Sequence, residues 1–358
     1  MKLQKRNCRP TFVLLTILCS ILCWKCETSL TENEPSGDLP QVNPEQVDFD
    51  SKKLEAAADF GEQIGYTALM AAYDGQVFFS WGNITYNYKV HSIRKPFLCS
   101  LYGIYVKSGD IDLDATMEDL GIDDLPPSLT ETEKQATVRH LLQSRSGIYH
   151  EAAAEAPVMK ELRPERGSHL PGTFYYYNNW DFNAAGTIFE QETHTRIFEE
   201  FDLRIAGPIG MQDFDTDNCY YQYESVSMHP AYSFRMSARD MLRFGILYQK
   251  NGRWNGKQIV PQNWITESTT AYSYVDTSLG IGYGYMWNVI KKDTPAAQMI
   301  DNNSAFFHTG IGVHLLMIIP DFKLVLVMRM DTEGDFTDPG DDSQLLSMMI
   351  INARIDMH

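Results

Sequence analysis

The chain has 358 residues, 44% of them apolar and 12% aromatic, with a formal net charge of −17. That length suits one large domain or two closely joined lobes around a real core. Residues 1–26 hold five basic residues (Lys2, Lys5, Arg6, Arg9, Lys25) and no acid, so the rest carries 25 basic against 47 acidic residues, a net −22. Such a surface argues against nucleic acid or an anionic membrane as a partner.

The first 26 residues read as a signal peptide or N-terminal anchor. Lys2, Lys5, Arg6 and Arg9 form a basic stretch, and Thr11 to Trp24 an apolar one too short to span a bilayer comfortably. The stretch Leu18-Cys19-Ser20-Ile21-Leu22-Cys23 lacks a small-x-small cleavage pattern. Export to a periplasmic or extracellular space is expected, with membrane attachment only through this segment if it stays uncleaved. Four of the six cysteines belong to it. Cys99 and Cys219 alone lie in the body, which is no disulfide framework, and Cys99 reads as a buried free thiol.

Residues 27–50 are polar and without periodicity, and are expected to form a flexible linker. The body then runs over 51–358. An amphipathic helix is expected from Ser51 to Ile64. Tyr66–Tyr73 and Gln76–Trp81 flank Asp74-Gly75, a strong hairpin signal. Asn83-Ile84-Thr85 has the form of a glycosylation sequon. A buried helix begins at His91-Ser92-Ile93-Arg94-Lys95, continues through Phe97, Leu98, Leu101, Tyr102, Ile104 and Tyr105, and ends at Gly109.

Residues 110–215 carry few strand signals and read as a mostly helical lobe. It includes a short helix over Thr137–Ser146 stopped by Gly147, and another over Phe182–Gln191. Ser237-Ala238-Arg239-Asp240 has the capping-box pattern and opens a helix to about Tyr248. The last third returns to strands: Tyr283, Tyr285 and Trp287 alternate, and Val313–Ile319 and Leu324–Met328 flank a turn at Pro320-Asp321-Phe322-Lys323. A terminal helix is expected over Ser343–Ile355. Strands at both ends with helices between predict an α/β (α+β) body, its antiparallel sheet built from both chain ends, with the helical lobe inserted. No Gly-rich phosphate loop and no His/Cys cluster with metal spacing occurs, so neither cofactor nor metal is expected.

Three stretches carry chemistry when read together. Ser92 and Lys95 are three apart and share a helix face, so hydroxyl and amine can meet. A serine needs a base to become a nucleophile, and a lysine can be that base when burial or neighbouring cations lower its pKa. Downstream come Tyr177-Asn178-Asn179, after Pro171-Gly172-Thr173, and His308-Thr309-Gly310, entering the apolar strand at Val313.

With Ser-x-x-Lys, Tyr-x-Asn and His-Thr-Gly in this order and spacing, the chain resembles the serine β-lactamase and penicillin-binding-protein superfamily from about residue 50 onward. It looks most like the branch of class C β-lactamases, DD-peptidases, family VIII esterases and nylon-oligomer hydrolases. Residues 138–147, 179–186 and 237–240 agree with that likeness.

The resemblance implies a β-lactamase/transpeptidase-like serine hydrolase domain over 51–358 that forms an acyl-enzyme on Ser92. Lys95 and Tyr177 would be base and proton relay, and Asn179 would orient Lys95 or the substrate. The backbone N–H groups of Ser92 and Ile311, the latter following Gly310, would form the oxyanion hole. Lys95 and His308 are expected to lower the Tyr177 pKa.

His308 stands where β-lactamases and DD-peptidases usually carry lysine, and Pro96 directly after Lys95 is a second departure. A mostly uncharged histidine suits a neutral ester, amide or peptide better than a penicillin carboxylate. Esterase or amidase activity is therefore expected over β-lactamase or DD-peptidase activity. The rival is a penicillin-binding or ligand-sensing protein on the same fold, against which stands the presence of serine, lysine and tyrosine together.

Overall fold

The protein is described by a computed structural model over residues 37–355. The proposed signal segment and residues 27–36 of the expected linker lie outside the described residues.

An eight-stranded antiparallel sheet forms the frame: β1 (Tyr66–Tyr73), β2 (Gln76–Gly82), β3 (Ser273–Asp276), β4 (Ile281–Tyr283), β5 (Asn288–Ile290), β6 (Ala305–Gly310), β7 (His314–Ile319) and β8 (Leu324–Met330). Their order across the sheet is β2-β1-β8-β7-β6-β5-β4-β3. The two ends of the chain thus meet between the second and third strands of that order, where Met70 pairs with Val327 and Ala71 with Leu326. Strand residues alternate between two cores. Leu69, Ala71, Leu315, Met317, Leu326 and Met328 point to one core, and Met70, Leu316, Ile318, Val325 and Val327 to the other. Both faces are covered, so these strands read as unbroken apolar runs rather than as alternation.

Helices α1 (Ser51–Gln63) and α5 (Asp341–Ile351) cover the first face. The second face carries α4 (Ala238–Gln249) and, beyond it, α2 (Arg94–Ser108) and α3 (Asn179–Thr193). Between Gly109 and Asp215 the described chain is helices, turns and loops, with one isolated bridge from Thr116 to Thr137, which is the inserted lobe. Gly109 ends α2 at φ 87°, a conformation a side chain disfavours.

Several expectations are corrected. Residues 37–50 are not flexible linker. Val42 N–H donates to the Val77 carbonyl and Val77 N–H to that of Pro40, Pro44–Val47 form a 3₁₀ turn, and Phe49 is fully buried against Phe78. A polar composition hid two apolar anchors, Val42 and Phe49. The alternating Tyr283, Tyr285 and Trp287 are not one strand: β4 ends at Tyr283, and Gly284 to Trp287 turn into β5. All three are buried because that turn packs inward. A Cβ on Gly284 would meet the Ser268 carbonyl oxygen at 2.1 Å.

The capping box at Ser237 is half made. Ser237 accepts from the Asp240 N–H, but the Asp240 carboxylate instead takes the N–H groups of Gln212, Asp213 and Phe214. The short helix expected over 137–146 spans only Val138–Leu142, and the terminal helix stops at Ile351.

Helix α4 lies so close on the sheet that a Cβ on Gly245 would come within 2.4 Å of Val325 Cγ1 and 3.0 Å of Leu316 Cδ1. Gly245→Ala therefore overpacks the central core and should cost about 1–3 kcal/mol despite the better helix propensity of alanine. Urea unfolding measures this; an unchanged or raised midpoint would contradict the close packing.

Candidate active site

The first element of the site is a 3₁₀ turn, His91–Ile93, that runs into α2. All but a few residues of α2 are buried, which fits its weak amphipathicity: it crosses the middle of the molecule and has no wet face. Pro96 is accommodated in its first turn, where a missing N–H is harmless. The Ser92 side chain stays partly open, while Lys95 is 1% exposed. Lys95 Nζ donates to Ser92 Oγ over 2.9 Å.

The amine sits over two rings, 4.7 Å from the centroid of Tyr177 and 4.6 Å from that of Phe182. Burial holds the Lys95 pKa well below the ordinary lysine value, and the positive charge of Arg94 lowers it further.

Tyr177 arrives on the loop before α3. Asn178 caps that helix by accepting from Trp180 N–H, and its amide donates to the Ile148 carbonyl and to Asp181. The Tyr177 ring packs on Phe182, Tyr283 and His308, the last at 6.3 Å between centroids. Its pKa moves opposite to the expectation. Burial drives it up, and the Ser92 hydroxyl and Arg94 only partly oppose this. The expected fall required charged neighbours, whereas Lys95 and His308 are themselves pushed toward their neutral forms. Tyr177 is a neutral phenol that can donate a proton, not a standing phenolate.

His308 lies within β6, not at the head of the next strand, and shares a face with the core residue Phe306. It is 1% exposed. Its Nδ1 pairs with the Thr309 carbonyl at 2.8 Å, and its buried Nε2 has no partner among the described residues. Burial first, then Lys95, lower its pKa to about 3.

Gly310 closes the site. A Cβ there would stand 2.7 Å from the Val90 carbonyl oxygen, so only glycine lets the end of β6 lie against the turn that carries Ser92. Ile311 follows with its side chain 51% exposed.

The structure therefore brings Ser92, Lys95, Tyr177, His308 and Gly310 together. Asn179 is different. It is the first residue of α3, and its amide nitrogen donates to the Ala154 carbonyl at 2.7 Å rather than reaching Lys95. One turn on, Asn183 donates to the Ala153 carbonyl at 3.0 Å, so the two asparagines hold one loop against the helix. Sequence reasoning also gave no role to Arg94, although a cation inside an apolar helix was the available signal. Among the described residues no His/Cys/Asp/Glu group could hold a metal ion.

The buried His308 yields a stability test. Its folded pKa of about 3 lies below the ordinary 6.5, so the unfolded chain binds the extra proton first. The contribution is fully present above about pH 6.5 and is lost as pH falls toward the folded value. The Tm drop between pH 7.5 and pH 5 should shrink by about 3 °C in His308→Gln. An equal drop in both proteins would show that His308 is not buried in its neutral form.

A family model described as Beta-lactamase matches residues 56–347. Solved structures share the fold. One is a candidate 6-aminohexanoate-dimer hydrolase from Bacillus anthracis, with a TM-score of 0.66 and 19% identity over 89% of this chain and 88% of that one. Another is the D-alanine carboxypeptidase AmpC from Burkholderia cenocepacia, at 0.64 and 16% over 87% and 100%. A third is a D-stereospecific amidohydrolase from a Streptomyces species, at 0.62 and 18% over 84% and 98%.

Proposed function

The chain belongs to the beta-lactamase family as a serine hydrolase of that fold, and we propose that it cleaves a neutral ester or amide through an acyl-enzyme on Ser92. The observation that carries this reading is the 2.9 Å contact between the Lys95 amine and the Ser92 hydroxyl in a setting that favours the neutral amine. An unprotonated Nζ accepts the hydroxyl proton as Oγ attacks the carbonyl carbon. The resulting oxyanion takes the N–H groups of Ser92 and Ile311. Tyr177, a neutral phenol, hands its proton to the leaving group and is reprotonated from Lys95. Water then attacks the acyl-enzyme, giving its proton to the same relay, which returns a proton to Ser92 Oγ as the acyl–oxygen bond breaks and the acid leaves.

Substrate choice rests on His308. With a pKa of about 3, it offers no cation at neutral pH to a carboxylate beside the reacting carbonyl. The exposed Ile311 adds an apolar edge. A neutral acyl group is favoured over a penicillin or a peptide ending in a carboxylate. Export through the N-terminal segment belongs to the same reading, and cell fractionation that finds the full-length chain in the cytoplasm would remove it.

A fluorophosphonate should label the protein on Ser92, and Ser92→Ala should abolish label and turnover alike. Lys95→Arg keeps a cation that cannot give up its proton, and Tyr177→Phe keeps the ring without the relay. Each should lower nitrophenyl-ester turnover at least about 100-fold. Activity within a few-fold of wild type, or an adduct elsewhere, would sink the assignment.

The substrate reading has its own measurement, the second-order acylation rates for a nitrophenyl ester and a penicillin. The wild type should prefer the ester, and His308→Lys should shift the ratio toward the penicillin. Efficient penicillin turnover by the wild type would show a β-lactamase instead, and labelling without turnover of any ester or amide would favour a ligand-holding role.

A further inference from the structure

Arg94 lies next to Lys95 on α2 yet faces away from Ser92, since two helical residues turn the chain by about 200°. It is 5% exposed. Its Nη2 donates to the Asn183 side-chain oxygen at 2.7 Å, and its guanidinium lies 4.1 Å from the centroid of the Tyr232 ring. Nη1 is buried without a partner, and among the described residues Arg94 joins no ion pair.

A buried guanidinium without a carboxylate is costly, because its charge is desolvated and only partly compensated. The scaffold nonetheless fixes it in place. Tyr232 is itself fully buried, and Gly186 on α3 lets its ring approach to where a Cβ would stand 2.8 Å away. The buried carboxylate on the same helix, Asp181, turns elsewhere, accepting from Ser146 Oγ at 2.5 Å and from the Asn178 amide at 2.9 Å.

We propose that Arg94 is a positioning residue whose buried charge, without a carboxylate partner among the described residues, adds to burial in disfavouring a second charge on the adjacent Lys95 and so favours the amine that can accept the Ser92 proton. A guanidinium keeps its proton throughout the working range of pH, so a second positive charge beside it is disfavoured at every such pH. The groups that face the Lys95 amine do not cancel this. Ser92 stands in the preceding turn, Tyr177 comes from the loop before α3, Phe182 from α3 and His308 from β6. None carries a negative charge, since Tyr177 is held as the neutral phenol and His308 as the neutral imidazole. Arg94 also opposes protonation of His308 and steadies the ionised form of Tyr177. One charge thereby biases the amine, the imidazole and the phenol.

The proposal rests on the reading of Ser92 and Lys95 given above, and its test separates the two. The rate of fluorophosphonate labelling at Ser92 is followed from pH 5 to pH 10 in the wild type, Arg94→Met and Asn183→Asp. The first variant removes the charge. The second keeps the guanidinium and sets a carboxylate against it, losing the bond to the Ala153 carbonyl.

Both should move the acid limb of the profile up by about one pH unit. Labelling at pH 7 then falls about tenfold and recovers near pH 9. Folded variants whose profiles keep the wild-type midpoint, whatever their Tm, would overturn the proposal. A wild type that fails to label at Ser92 would overturn the reading of the site itself.

Discussion

An amine kept out of water is the constraint on which the rest of this site depends. In the proposed mechanism Lys95 can serve Ser92 only while its charged form is penalised, and that penalty comes from the surroundings. Helix α2 is buried along nearly its whole length, and two aromatic rings floor the amine. Exposing even one flank of α2 would let water stabilise the ammonium and disarm the base. This accounts for the architecture around it, in which the sheet with α4 closes one side and the lobe with α3 closes the other. A helix with no polar face can exist only between two such layers.

The same dryness explains why the neighbouring groups titrate as they do. Tyr177 is pushed up and His308 down by the same leading cause, the loss of solvent around a charged form. Arguing from pairs of charges gives the wrong direction for Tyr177, because burial opposes its ionised form while it also pushes Lys95 and His308 toward their neutral forms. The site holds little charge of its own beyond Arg94, which suits the proposed Ser92 nucleophile, whose attack would create charge in the transition state.

Much of this was legible in the sequence, for identifiable reasons. Ser92 and Lys95 are fixed by helical spacing, and the Asp74-Gly75 hairpin by its turn chemistry, so local rules suffice for both. The sheet built from both chain ends follows from where the apolar runs fall. What stayed hidden depends on tertiary contacts. The polar stretch at 37–50 docks through Val42 and Phe49, which composition averages away. Asn179 turns to the Ala154 carbonyl because that loop folds back over the start of α3, a meeting of segments 25 residues apart that no local pattern records. Arg94 was visible as a residue and unreadable as a role, since its meaning lies in Tyr232 and Asn183, far along the chain.

The pairing of β1 with β8 has a consequence for how the protein comes into being. Tyr66 lies opposite Met330, and Ile355 N–H reaches back to the Asp48 carbonyl. Strand β1 therefore waits for almost the entire chain before its inner edge is paired. Contacts this distant in sequence make for slow, late closure of the sheet. His308 and Gly310 stand on that late-forming half, whereas Ser92 and Lys95 emerge from the ribosome more than 200 residues earlier. A nascent chain carries its serine and lysine for most of its synthesis without the strand that completes the cleft. On the proposed reading, the serine and lysine gain their full cleft only once β6 has been made and paired.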